Sequence, residues 1–188
     1  AWRDADNQQT LDVINPASGE RLATIPALGA PETTRAIEYA EQARHKWAKT
    51  PNAERAALLE TWYQLIMANA DTLARIMTAE QGKPLAEAKG EVVYGASFVK
   101  WFAEEARRIS GETIPAPTAD RRILVLKQPV GVAAAITPWN FPIAMITRKV
   151  APALAAGCPV IVKPSELTPL CALALMALAE QAGIPDGV

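Results

Sequence analysis

The stretch VGVAAAITPWNFPIAMITRKVAPALAAGCPVIVKPSE, residues 130–166, decides the fold. It opens on an apolar run to Ile136, turns through Thr137-Pro-Trp-Asn-Phe-Pro142, and continues from about Phe141 with apolar residues at helical spacing. A second apolar run, Cys158-Pro-Val-Ile-Val-Lys163, leads into the turn Lys163-Pro-Ser-Glu166, and an Ala/Leu-rich helix follows over 168–181, closed by Gly183. Strand, helix, strand, helix in this order predicts a parallel sheet with helical crossovers, hence an α/β fold. One residue stands out within it. Asn140 sits between Trp139 and Phe141, bracketed by Pro138 and Pro142, and a side-chain amide among such neighbours costs free energy unless it caps a turn or faces a partner.

Working outward, residues 121–132 contain the run Arg122-Ile-Leu-Val-Leu-Lys127 before Gln128-Pro129, read as a strand that alternates poorly and projects from the body. The chain before it loosens around residues 115–120. Ahead of that lie three helical regions. The first, from Pro31, places Ile37, Ala40, Ala43 and Trp47 on one stripe and stops at Pro51. The second opens at Asn52, carries Leu58, Leu59, Trp62, Leu65 and Ile66, breaks near Asn69, resumes with Leu73, Ile76 and Met77, and ends at Gly82. The third takes Pro84 in its first turn and sets Val92, Ala96, Val99, Phe102 and Ala106 at helical spacing until Gly111. The aromatic residues Trp62, Tyr63, Trp101 and Phe102 fall on these stripes and read as core. Residues 11–14 and 21–25, joined by Asn15-Pro-Ala-Ser-Gly19, predict an N-terminal hairpin.

Composition narrows the function. The 19 basic and 20 acidic residues of this 188-residue chain nearly cancel and are interspersed, which leaves no basic stripe for nucleic acid or anionic lipid. The apolar runs are broken by Gly and Pro before the roughly 20 residues a bilayer span needs. The polar start Ala1-Trp-Arg-Asp-Ala-Asp6 lacks a signal-peptide pattern. A cytoplasmic protein is expected. Cys158 and Cys171 form no disulfide framework, and with the lone His45 no metal-ligand cluster. Both cysteines read as small buried hydrophobes.

Ligands of open parallel sheets bind outside the carboxyl ends of the strands, so the two turns are the candidate site. The second turn offers the ammonium of Lys163, the hydroxyl of Ser165 and the carboxylate of Glu166, a set suited to the polyol and phosphate of a nucleotide. No G-x-G-x-x-G dinucleotide fingerprint occurs in the chain.

Five motifs in order, Glu80-Gln-Gly-Lys-Pro84, Pro129-Val-Gly-Val132, Pro138-Trp-Asn-Phe-Pro142, Pro152-Ala-Leu-Ala-Ala-Gly157 and Lys163-Pro-Ser-Glu166, make the sequence resemble the aldehyde dehydrogenase superfamily over nearly its whole length. The strings Ala144-Met-Ile-Thr-Arg-Lys149, Trp101-Phe-Ala-Glu-Glu105 and Lys127-Gln-Pro129 look most like its succinate-semialdehyde dehydrogenases. The resemblance implies NAD(P)-dependent oxidation of an aldehyde to a carboxylic acid, foremost succinic semialdehyde to succinate, through a thiohemiacetal on a cysteine outside these residues, with hydride passed to nicotinamide. It implies that Asn140 is the oxyanion-hole amide and that Arg148 grips the far carboxylate of the substrate. It further implies that Ile136, Thr137, Pro138 and Trp139 line the cofactor cleft, and that Lys163, Ser165 and Glu166 meet the adenosine ribose. A carboxylate at Glu166 favours NAD, with NADP possible through Ser165.

On the family pattern, residues 1–120 supply the N-terminal hairpin and helices of a Rossmann-like cofactor domain, 121–132 part of a β oligomerisation arm, and 133–188 the start of the NAD-binding core. The catalytic domain and the nucleophile lie beyond this chain, so the chain alone is expected to be inactive and the complete protein to form a homodimer or homotetramer. Two alternatives accompany this reading. One is a dehydrogenase of a neutral aldehyde or an aminoaldehyde, and the other is a non-catalytic assembly or nucleotide-binding module.

Overall fold

The computed structural model describes residues 2–188, so Ala1, the first residue of the polar start, lies outside the described residues. Its elements are β1 (Thr10–Ile14), β2 (Arg21–Pro26), α1 (Ala30–Lys49), α2 (Asn52–Ala68), α3 (Ala70–Gln81), α4 (Leu85–Glu105), β3 (Glu112–Ile114), β4 (Ile123–Val125), β5 (Ala133–Ile136), α5 (Ala144–Ala155), β6 (Val160–Lys163) and α6 (Pro169–Gln181). Local chemistry sets their ends. Pro31 and Glu32 occupy the first turn of α1, and the Glu32 carboxylate accepts the Gly29 N–H at 2.9 Å. Asn69 separates α2 from α3, its side-chain amide donating to the Leu65 carbonyl at 2.8 Å. Gly82 closes α3 at φ +83°, a left-handed conformation that glycine adopts without penalty.

The core is helical. α4 packs along α2 on one side and α5 on the other, and a run of small residues, Ala88, Gly95, Ala96 and Ala103, makes that approach possible. Trp47, Leu59, Trp62, Ile66, Val92, Val99, Ile143, Ile146 and Leu175 are fully buried around it. Each large aliphatic side chain withdrawn in this way contributes about 1.5–3 kcal/mol. The Trp62 indole N–H donates to the Leu175 carbonyl at 3.1 Å, so the ring that fills the core also ties α2 to α6.

Three two-stranded pairings accompany the helices. β1 and β2 form the expected antiparallel hairpin, with an irregularity between Val13 and Ile14. β5 and β6 pair in parallel with α5 between them, from Ala133 opposite Val160 to Ile136 opposite Lys163, so the fold class is α/β as expected. β3 and β4 form an exposed antiparallel ribbon.

Several expectations need correction. The projecting strand shrinks to residues 123–125, and its partner at 112–114 falls where the sequence predicts the end of a helix and the start of a loose segment. Short strands exposed on both faces carry no alternation by which to find them. The third helix starts after Pro84 and ends at Glu105, followed by a single 3-10 turn over Ala106–Arg108. Trp101 is 61% exposed, because the buried stripe of α4 passes through Val99 and Ala103 and leaves it on the outer face. Ile37 is likewise exposed, while Ala40 and Trp47 of its stripe are buried. β6 is half buried rather than fully so.

Candidate functional site at the strand ends

The parallel register brings the two turns together. Ile136 and Lys163, the last residues of β5 and β6, lie directly opposite each other, and the Thr137 N–H extends the ladder to the Lys163 carbonyl at 3.1 Å. Segments 27 residues apart in the chain therefore leave the sheet side by side. Ile136 is 72% exposed, and Trp139 and Phe141 are also exposed, which leaves apolar side chains open at the strand ends. The Lys163 ammonium donates to the Glu166 carboxylate at 3.3 Å, both side chains being open to solvent. The Glu166 carboxyl is held below its usual range by its own backbone N–H and then by Lys163, so it is ionised. Ser165 is buried beneath this pair, its hydroxyl accepting the Leu167 N–H at 3.2 Å. The hydroxyls of Thr137 and Thr168 are buried without a partner among the described residues.

Pro138 and Asn140 are exposed on the first turn, while Pro142 is buried. The Asn140 side-chain amide makes no hydrogen bond among the described residues, whereas its backbone carbonyl accepts the Lys83 ammonium at 3.1 Å. α5 starts at Ala144, later than the expected Phe141, because residues 141–143 form a turn whose Phe141 carbonyl accepts the Met145 N–H at 2.9 Å. Arg148 thus lies one turn into α5, exposed. Lys149, beside it, is half buried and donates to the Met145 carbonyl at 3.1 Å. Burial, with the Arg148 charge beside it, pushes its ammonium pKa down.

Two buried carboxylates that sequence reading leaves without a role organise this region. Glu80, at the end of α3, accepts the N–H groups of Leu170 and Cys171 at 2.7 and 2.8 Å and so caps α6. Burial pushes the Glu80 carboxyl pKa up, and the bonds at Cys171 and Leu170 pull it back. Glu91, on α4, accepts the N–H groups of Ile143 and Ala144 at 3.0 and 3.3 Å at the start of α5. Its other oxygen takes the Lys83 ammonium, which also lies 4.1 Å from the centre of the Phe141 ring. One signal for both is available in the sequence. Glu80 follows Leu73 and Met77 on one helical stripe, and Glu91 falls between Ala88 and Gly95 on another, where an acidic residue needs a donor.

Neither cysteine has a nucleophile's surroundings, and both are buried. Burial and the adjacent Glu80 raise the Cys171 thiol far above its ordinary range, which keeps it protonated. No group of acidic, His or Cys side chains suited to a metal occurs among the described residues. No described helix is long and apolar enough to cross a membrane.

The model of the aldehyde dehydrogenase family matches residues 2–188. A glutarate-semialdehyde dehydrogenase of Pseudomonas putida is 60% identical over 187 residues, covering 100% of this chain and 39% of that protein. An NADP(+) succinate-semialdehyde dehydrogenase of Escherichia coli is 57% identical, again over 100% of this chain and 39% of the relative. The crystal structure of a succinate-semialdehyde dehydrogenase from Burkholderia pseudomallei superposes with a TM-score of 0.98 at 59% identity, covering 100% of this chain and 39% of that one. The chain thus spans about two fifths of the length of these relatives, and over that span it belongs to the aldehyde dehydrogenase family.

Proposed function

We propose that the full-length protein oxidises an aldehyde carrying a distal carboxylate, foremost succinic semialdehyde, to the acid, with a nicotinamide cofactor. The observation that carries this reading is the pairing of Ile136 with Lys163, which sets the Asn140 turn beside the Lys163–Glu166 turn at one end of the sheet. The Glu166 carboxylate and the Lys163 ammonium are a fitting partner set for the two hydroxyls of a ribose, and exposed Ile136 and Trp139 offer apolar contact to flat rings. The unpartnered Thr137 hydroxyl adds a polar group at the strand end. These residues, with Pro138 and Ser165, would hold the dinucleotide, which accepts a hydride when bound. NAD is favoured over NADP, because a 2′-phosphate would meet the ionised Glu166.

The chain's own part in the chemistry falls to Asn140. Attack on an aldehyde carbonyl moves negative charge onto its oxygen, and a fixed amide N–H₂ aimed at that oxygen lowers the barrier because it reorganises little as the charge forms. Arg148 supplies a guanidinium, a planar bidentate donor suited to the substrate's far carboxylate. Residues 121–132, which include β4 of the exposed ribbon, would form part of an arm that joins copies in a homodimer or homotetramer. In the full-length protein, Asn140→Ala should lower kcat by roughly 10²–10³ with cofactor affinity retained. Single-turnover kinetics that show an unchanged chemical step would remove Asn140 from the oxyanion site.

A further inference from the structure

We infer that Lys83 and Glu91 are positioning residues for Asn140, a single buried ion pair that fixes the backbone on both sides of the Phe141-Pro142 step. The inference rests on the proposed role of Asn140 as oxyanion donor. The Asn140 side chain makes no hydrogen bond of its own among the described residues, so its direction is set by the backbone that carries it and by the stiff prolines around it. That backbone is held at two points. Lys83 takes the carbonyl of Asn140, and Glu91 takes the amides of Ile143 and Ala144. The two side chains bond to each other and are only 10% and 1% exposed. Phe141, between the two points, is covered by the Lys83 ammonium.

This arrangement differs from an ordinary helix cap. A capping carboxylate needs no cation, and Glu80 caps α6 with no lysine or arginine bonded to it among the described residues. Here the cation reaches past its carboxylate to the residue of the proposed donor, so the position of α4 is transmitted to Asn140. Gly95, one turn beyond Glu91, keeps α4 and α5 close enough for this. A Cβ there would lie 2.7 Å from Ile143 Cγ2 and 3.3 Å from the Ala144 backbone.

The test is a double-mutant cycle in the full-length enzyme, with single-turnover kinetics and NADH binding measured for wild type, Lys83→Met, Asn140→Ala and the combination. Lys83→Met should slow the chemical step by about 10²-fold, as expected for a catalytic group displaced by about 1 Å, with NADH affinity and KM held. In the Asn140→Ala background it should slow the reaction little further. Because Lys83→Met leaves Glu91 buried and unpaired, Lys83→Met combined with Glu91→Gln serves as a second variant that removes both charges, and it should show the same loss and the same non-additivity. Equal fold-losses with and without Asn140 would overturn the positioning role, as would a Lys83→Met enzyme of wild-type rate beside an impaired Asn140→Ala. An Asn140→Ala enzyme of wild-type rate would overturn the oxyanion reading first, and this inference with it.

Discussion

At position 166 the proposed preference for NAD rests on a single carboxylate, because the two cofactors differ by one phosphate. Its ionisation is secured by its own backbone amide and by Lys163, so at neutral pH it presents a full charge to whatever occupies the turn. A ribose 2′-hydroxyl can donate to it, and a 2′-phosphate is repelled. Glu166→Ser in the full-length protein should therefore reduce the ratio of NAD to NADP affinity several-fold, the modest scale an exposed charge contact allows. Titration of both cofactors against both proteins measures it, and an unchanged ratio would take Glu166 out of the ribose site. The proposed roles of Asn140, Lys163 and Glu166 come from motif resemblance, because a short polar string after a strand does not by itself say what it faces. Lys83 and Glu91 escape sequence reading for a related reason. The helical stripe marks Glu91 as a buried acid in need of a donor, but the donors themselves lie 52 and more positions away, beyond any local pattern.

At the scale of the element, α4 carries the packing and the carboxylate that hold the start of α5. It carries two interior glycines with opposite surroundings. A Cβ at Gly90 would meet nothing within 4 Å, whereas one at Gly95 would press on Ile143 and Ala144. Gly90→Ala should gain about 0.5–1 kcal/mol from helix propensity alone. Gly95→Ala should lose about 1–3 kcal/mol to overpacking, more than the same propensity gain returns. Thermal unfolding midpoints should move in opposite directions, and two shifts of the same sign would show that α4 and α5 are less tightly apposed. The helices and the parallel β-α-β unit are legible in the sequence because their signals are periodic and their stops are Pro51, Asn69 and Gly82. The β3–β4 ribbon is only half legible, since three-residue strands with no buried face leave no period to read.

Across the whole molecule, a small number of long-range ties hold the helical layer against the segments that follow the parallel strands. Trp62 joins α2 to α6, Glu80 joins α3 to α6, and Glu91 joins α4 to α5. The two helices that follow the parallel strands, α5 and α6, are thus each anchored by a carboxylate from the α3–α4 layer. The proposed substrate clamp is Arg148, exposed near the start of α5. The most direct measurement is kcat/KM of the full-length protein for succinic semialdehyde and for butanal, with NAD, in wild type and Arg148→Ala. A carboxylate clamp predicts a strong preference for the semialdehyde that falls by about 10²-fold in the variant, the scale of a charged hydrogen-bonded pair, while butanal turnover stays the same. Equal turnover of the two aldehydes, unaltered by the substitution, would contradict the account.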